Sequence, residues 1–212
     1  MGNNRIPLEP DKYYHIYNHA VVNDQLFKQT DNYFFFLKKL IQHICPIADI
    51  FAYCLMPNHF HIALRIKNNN EILEYLLLKN PQGFRNPEGL TCEFFSNKLS
   101  HQFGNLFNSY SKAFNKRNNR YGNLFLPNFE RKLIDSNEYF KRLIHYIHFN
   151  PVHHGFVRDL RDWKYSSFES FFSEKSTKLK RDEVIAWFSD IQNFIDFHKK
   201  EIDTKMVLEL EA

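Results

Sequence analysis

The segment from residue 49 to residue 66 limits the fold more than any other part of the chain. Residues 49–55 and His59–Ile66 both have strand character, and Met56-Pro57-Asn58 between them is a turn, so the two pair as a hairpin. The second strand alternates strictly. Phe60, Ile62, Leu64 and Ile66 point to one side, and His59, His61, Ala63 and Arg65 point to the other. The apolar set must face helices, which leaves two imidazoles side by side on the opposite, open face.

Around this hairpin the chain supplies the remaining elements. Residues 13–20 form a first strand rich in Tyr and Ile, and residues 31–45 show helical spacing through Phe34, Leu37, Leu40, Ile41 and Ile44. Asp31 is the N-cap candidate of that helix, and Pro46 lies just past its end. A long helix over 93–115 follows, then a Gly122 turn, a strand over 127–134 and a helix over 137–149 capped by Asp135 or Ser136. Pro151 disfavours helical geometry at Asn150, which places Asn150 at the helix terminus.

The order β-α-β-β-α-β is that of an α+β, ferredoxin-like split-βαβ fold: an antiparallel sheet with helices on one face and an extra helix after the fourth strand. The other face is left to a ligand or to that extra helix. Residues 1–172 make up the expected domain. Residues 67–92 are an inserted excursion around the apolar piece Ile72 to Leu78, and 173–212 a charged linker with an amphipathic helix marked by Val184, Phe188, Ile191 and Ile195.

Composition narrows the function classes. With 43% hydrophobic and 17% aromatic residues in 212, the chain can bury a core. Met1 to Pro10 is too polar for a signal peptide and no stretch approaches a membrane span, so the expectation is a cytoplasmic protein without a membrane partner. Cys45, Cys54 and Cys92 have no CxxC spacing, which fits a reducing compartment. The net charge of +4 permits a polyanionic partner without requiring one. Lys112, Lys116, Arg117, Arg120, Arg131 and Lys132, interleaved with Phe114, Tyr121, Phe125 and Phe129, suit phosphate neutralisation and base stacking. A solvated helix face followed by a half-buried strand explains the same pattern.

The His-x-His pair is weak on its own. With 11 His in 212 residues, chance gives roughly half of one such pair. Its place opposite the apolar side strengthens a metal-binding reading, because core histidines would stand among the Ile and Leu. Tyr146 and Asn150, four apart, share one helix face. Tyr146 also borders the stripe of Phe140, Leu143, Ile144 and Ile147, so helical spacing alone favours a packing role for it, with Asn150 an ordinary terminal residue.

Taken as an ordered set, several segments resemble the IS200-like single-tyrosine transposases of the HUH endonuclease group, in the branch of REP-associated tyrosine transposases. They are YYHIYN from Tyr13, AYCLMPNHFH from Ala52, NLFNSYSKAFNKR through NRYGNLF to FERKLIDSNEYF, YIHFNPVHHGFV from Tyr146 and DWKYSSF from Asp162. The resemblance implies His59, His61 and Asn150 as ligands of Mg²⁺ or Mn²⁺, although ligand softness alone does not exclude Zn²⁺. It implies Tyr146 as nucleophile, forming a 5′-phosphotyrosine while a 3′ hydroxyl departs. Single-stranded or hairpin DNA is the implied substrate of a monomer or homodimer. The basic residues above are then the DNA-contact candidates, and Arg65 joins them from the histidine side of its strand, where a surface salt bridge is an equal alternative.

One departure is visible: His19-Ala20 stands where many relatives carry Arg-Gly after YN. Two rivals remain in view. A noncatalytic single-stranded nucleic-acid-binding domain of the RNA-recognition kind would carry aromatics on the middle strand, where His59 and His61 stand. A host-retained HUH nuclease working outside transposition would share every residue named.

Overall fold

The computed structural model of the chain describes residues 6–21, 24–80, 91–200 and 202. Four strands, β1 (Tyr13–His19), β2 (Ala48–Met56), β3 (His59–Ile66) and β4 (Glu130–Ile134), form one antiparallel sheet in the order β2-β3-β1-β4. Helix α1 (Thr30–His43) links β1 to β2, and α2 (Asn69–Lys79) and α3 (Cys92–Arg117) lie between β3 and β4. This is the ferredoxin-like α+β arrangement that the element order predicts.

The alternation on β3 divides the molecule into two cores. Phe60, Ile62, Leu64 and Ile66 pack with Tyr14, Ile16 and the apolar sides of α1 and α3 in the larger one. Ala63 looks the other way, into a second core with Ala52, Cys54 and Met56. A bulge between Ile50 and Ala52 lets the consecutive Phe51 and Ala52 both join that second core.

The second face of the sheet is therefore not open. Its apolar positions on β2 need cover, and Phe140, Leu143, Ile144 and Ile147 of α4 (Asn137–His153) supply it. Two further helices, α5 (Arg181–Trp187) and α6 (Ile191–His198), stand where the sequence suggests one, and Val184, Phe188 and Phe194 pack into the same core. Within the excursion the chain forms α2, with Ile72 and Leu76 in the larger core, while residues 81–90 of it and 201 and 203–212 of the tail lie outside the described residues.

Helix ends differ instructively from expectation. Gln29, not Asp31, is the N-cap of α1, and Asn32 Oδ1 reaches back to accept the Gln29 N–H at 3.0 Å. Ser136 caps α4 as expected, accepting from the Tyr139 N–H at 3.2 Å. At its other end α4 runs through Pro151 to His153, past the terminus expected at Asn150. Proline costs the helix one hydrogen bond and leaves the following turn free to continue. The stop comes from Gly155, at φ +71°, whose N–H reaches the Val152 carbonyl at 2.9 Å. Asn150 consequently sits inside the last turn and is held in place.

Candidate active site

The turn at Pro57-Asn58 delivers His59 as the first residue of β3, and the two-residue period delivers His61 to the same side. Helix α4 crosses above them and lowers Tyr146 and Asn150 onto the pair. Asn150 Oδ1 lies 3.0 Å from His59 Nε2. The His59 and His61 ring centres are 5.1 Å apart, and the Tyr146 ring stands edge-on to His61 at 5.3 Å. The four side chains named from the sequence thus meet at one place, and none is more than 4% exposed.

Burial keeps these imidazoles neutral. It pushes His59 down to about 3, against the raising effect of the nearby Asn150 carbonyl oxygen, and it pushes His61 well below the ordinary histidine range, helped by the neighbouring His15 and His59. A neutral imidazole has one N–H. Asn58 Oδ1 lies 2.8 Å from His59 Nδ1 and only accepts, so that proton is on Nδ1 and Nε2 carries a lone pair. Nε2 then faces the Asn150 carbonyl oxygen, also an acceptor, while Asn150 Nδ2 is buried without a partner. Two acceptors at this distance attract in one of two ways: the Asn150 amide turns its NH₂ to the ring, or a cation lies between them.

The donor set fits a divalent cation of moderate hardness: an imidazole nitrogen and an amide oxygen already converging, with a second imidazole beside them. Among the described residues no three His, Cys, Asp or Glu side chains gather as a metal site, so a metal here would rest on two histidines and the Asn150 amide. The residues that orient the rings are in place. Asn58 holds His59, and His15 Nε2 lies 2.9 Å from His61 Nδ1.

No family profile matches the chain. A curated protein of Haemophilus influenzae named "Putative REP-associated tyrosine transposase" is 26% identical over 121 residues, which cover 55% of this chain and 57% of that protein. The alignment thus spans little more than half of the relative's length. A solved REP-associated tyrosine transposase bound to a REP hairpin superposes with a TM-score of 0.58 at 17% identity, covering 82% of this chain and 86% of that one. That second likeness speaks for the fold. The chain is thus similar in sequence to one protein named as a REP-associated tyrosine transposase and shares the fold of another.

The basic residues expected at the DNA do not form one surface. Arg131 stands opposite Ile16 and turns to the α3 side, where it donates to Ser100 Oγ at 3.1 Å and lies 4.6 Å over the Phe129 ring. Arg120 is tied to Asp24, to Asn115 Oδ1 and to the Gly122 carbonyl, which makes it a loop staple. Arg117 pairs with Asp31 at 3.1 Å on the surface, and Lys112 and Lys116 are exposed on α3, across the sheet from the histidines. Arg65 is engaged by Asp49 at 2.7 Å and Glu183 at 3.3 Å. Lys132, opposite His15 in the strand register and 5.9 Å from the Tyr17 ring centre, shares the histidine side.

Strand β1 contributes to the site in a way that no motif singled out. Its period places Tyr13, His15, Tyr17 and His19 on the site face, the signal that marks His59 and His61 on β3. Tyr17 pairs with His61 across the strands, and His19 stacks on His59 at 5.0 Å. His154, just past α4, lies edge-on to His59 at 5.1 Å and borders the site with His19.

Proposed function

We propose that the chain is a metal-dependent single-strand DNA endonuclease and transposase that cuts and rejoins DNA through a 5′-phosphotyrosine at Tyr146. The observation that carries this reading is the convergence of His59, His61, Asn150 and Tyr146 from two distant segments onto one point. Bound by His59, His61 and Asn150, a divalent cation such as Mg²⁺ or Mn²⁺ would supply Lewis-acid polarisation of a scissile phosphate.

In the proposed reaction, Tyr146 Oη forms a bond to phosphorus as the bond from phosphorus to the 3′ oxygen breaks. The phenolic proton passes to water or a neighbouring base, and the departing oxygen leaves as a 3′ hydroxyl. The phosphodiester energy is kept in the tyrosyl ester, so the 3′ hydroxyl of a second DNA end can displace Tyr146 without ATP. Because Tyr146 is fully buried, its ring must come within reach of DNA first, and the exposed His19 and His154 mark the rim where the site would open. Lys132 is the basic residue placed to meet phosphate on that side. Hairpin DNA is the proposed substrate class, since the solved relative was bound to a REP hairpin.

The burial of Tyr146 within the second core favours one other reading, a DNA-binding domain without catalysis. Incubation with Mn²⁺ and a hairpin-bearing single-stranded oligonucleotide separates the two. The proposal expects a covalent protein–DNA adduct that Tyr146→Phe abolishes. Binding without an adduct supports the second reading, and an adduct that survives Tyr146→Phe places the nucleophile elsewhere.

A further inference from the structure

We propose that His15 is a positioning residue for the candidate metal centre, accepting a hydrogen bond from His61 Nδ1–H and so fixing His61 in the tautomer that offers Nε2 to a cation. The inference rests on the metal reading of His59 and His61 and adds a residue to it. His15 lies on β1 opposite Ala63, is fully buried, and its Nε2 is 2.9 Å from His61 Nδ1. Its ring is set between Tyr17, with centres 4.8 Å apart, and the edge-on Tyr146 at 6.3 Å, which leaves it little freedom to turn away.

The direction of this one hydrogen bond decides whether His61 can be a ligand. If His15 Nε2–H donated to His61 Nδ1, the His61 proton would sit on Nε2 and block a cation there. With His61 Nδ1–H donating to His15 Nε2, the His61 Nε2 lone pair is available. The His15 proton then sits on Nδ1, a buried atom without a hydrogen-bond partner. A stability-driven arrangement would give that atom a partner, so its orphaned state suits a residue placed for what it does to His61. Asn58 performs the same service for His59, at 2.8 Å from its Nδ1. The two proposed imidazole ligands are thus each held by an acceptor, one from the hairpin turn and one from the neighbouring strand.

Mn²⁺ affinity, followed by electron paramagnetic resonance on the full chain, tests this apart from catalysis. His15→Phe keeps a ring but removes the acceptor, and it should weaken Mn²⁺ binding by about 10- to 100-fold. His15→Gln, whose amide oxygen accepts, should regain most of the loss. Equal affinity in a folded His15→Phe protein, or no rescue by folded His15→Gln, overturns the proposal while leaving the metal reading intact. A wild type that takes up no Mn²⁺ overturns both. On the Mg²⁺-loaded wild type, ¹⁵N-histidine NMR should find the His61 proton on Nδ1, and a proton on Nε2 contradicts the assignment whatever the variants do.

Discussion

Two buried histidine clusters flank α4, and they differ in how the hydrogen-bond chain through each of them ends. On one side, His198 Nδ1 donates to the Phe194 carbonyl at 2.8 Å, so His198 Nε2 accepts from His148 Nδ1 at 2.9 Å, and His148 Nε2 accepts from Ser167 Oγ at 2.8 Å. One carbonyl assigns every proton in that chain. Ser167 Oγ in turn accepts the Tyr53 N–H at 2.9 Å, which ties α6 to α4 and β2. On the other side, the chain from Asn58 through His59 ends with two acceptors face to face at Asn150, and His15 Nδ1 is left over. The chain from Phe194 through His198 and His148 to Ser167 satisfies itself and is a structural joint, with His145 Nε2 beside it the one ring nitrogen of that cluster buried without a partner among the described residues, whereas a chain that ends in converging lone pairs is suited to a ligand.

The sharpest way to break this contrast is a crossed pair of substitutions. His59→Ala should remove measurable Mn²⁺ binding and adduct formation from a protein that still folds. His148→Ala should lower stability by about 3 kcal/mol, through a cavity beside Phe168, Phe171 and Phe194 and the loss of two hydrogen bonds, with Mn²⁺ affinity unchanged. Calorimetry with and without Mn²⁺ measures both. If the two variants exchanged these effects, the roles of the clusters would be reversed.

Mn²⁺ itself should stabilise the folded protein. At 100 times its Kd the gain is about 2.7 kcal/mol in wild type and in a folded His148→Phe variant, and absent in His59→Ala. Denaturant titration at fixed free Mn²⁺ reads it directly.

The two clusters should behave alike toward acid without metal. Burial holds His15, His59 and His198 down to about 3 and His145 to about 4, with His61 and His148 well below their usual value. The folded state therefore binds fewer protons than the unfolded chain below pH 6.5. Stability is fully present above pH 6.5 and is lost as pH falls toward 4, by about 1.4 kcal/mol per pH unit for each such group. A metal-free unfolding midpoint that stays level from pH 7 to pH 5 would contradict this. The smallest effect belongs to the helix end that carries Asn150. Gly155→Ala meets no neighbour but must adopt a positive φ, which should cost about 1 kcal/mol in melting experiments.

Most of the fold was legible because it rests on periodicity. The alternation of His59 to Ile66 fixed which side of β3 meets α1 and α3, and the helical spacing from Phe140 to Ile147 marked an apolar stripe on α4 that had to pack. What escaped the sequence were contacts that no local pattern encodes. The closure of α4 over the histidines follows from the summed apolar surface of Phe51, Ala52, Cys54 and Met56, and the passage of α4 through Pro151 from a glycine four residues further on. Within the site, Tyr146 and Asn150 were readable from helical spacing and family resemblance together. His15 was hidden because its partner lies 46 residues away, and the division of the basic residues between two faces was hidden because strand alternation sends Arg131 and Lys132 to opposite sides.

The central claim is that the open cluster, not the closed one, holds the metal. Anomalous diffraction from crystals of the full chain soaked in Mn²⁺ tests it most directly. The account predicts a peak bounded by His59, His61 and the Asn150 amide oxygen and no peak between His148 and His198. A peak at His148 and His198, or an Asn150 amide whose NH₂ simply donates to His59 with no ion between them, would contradict it.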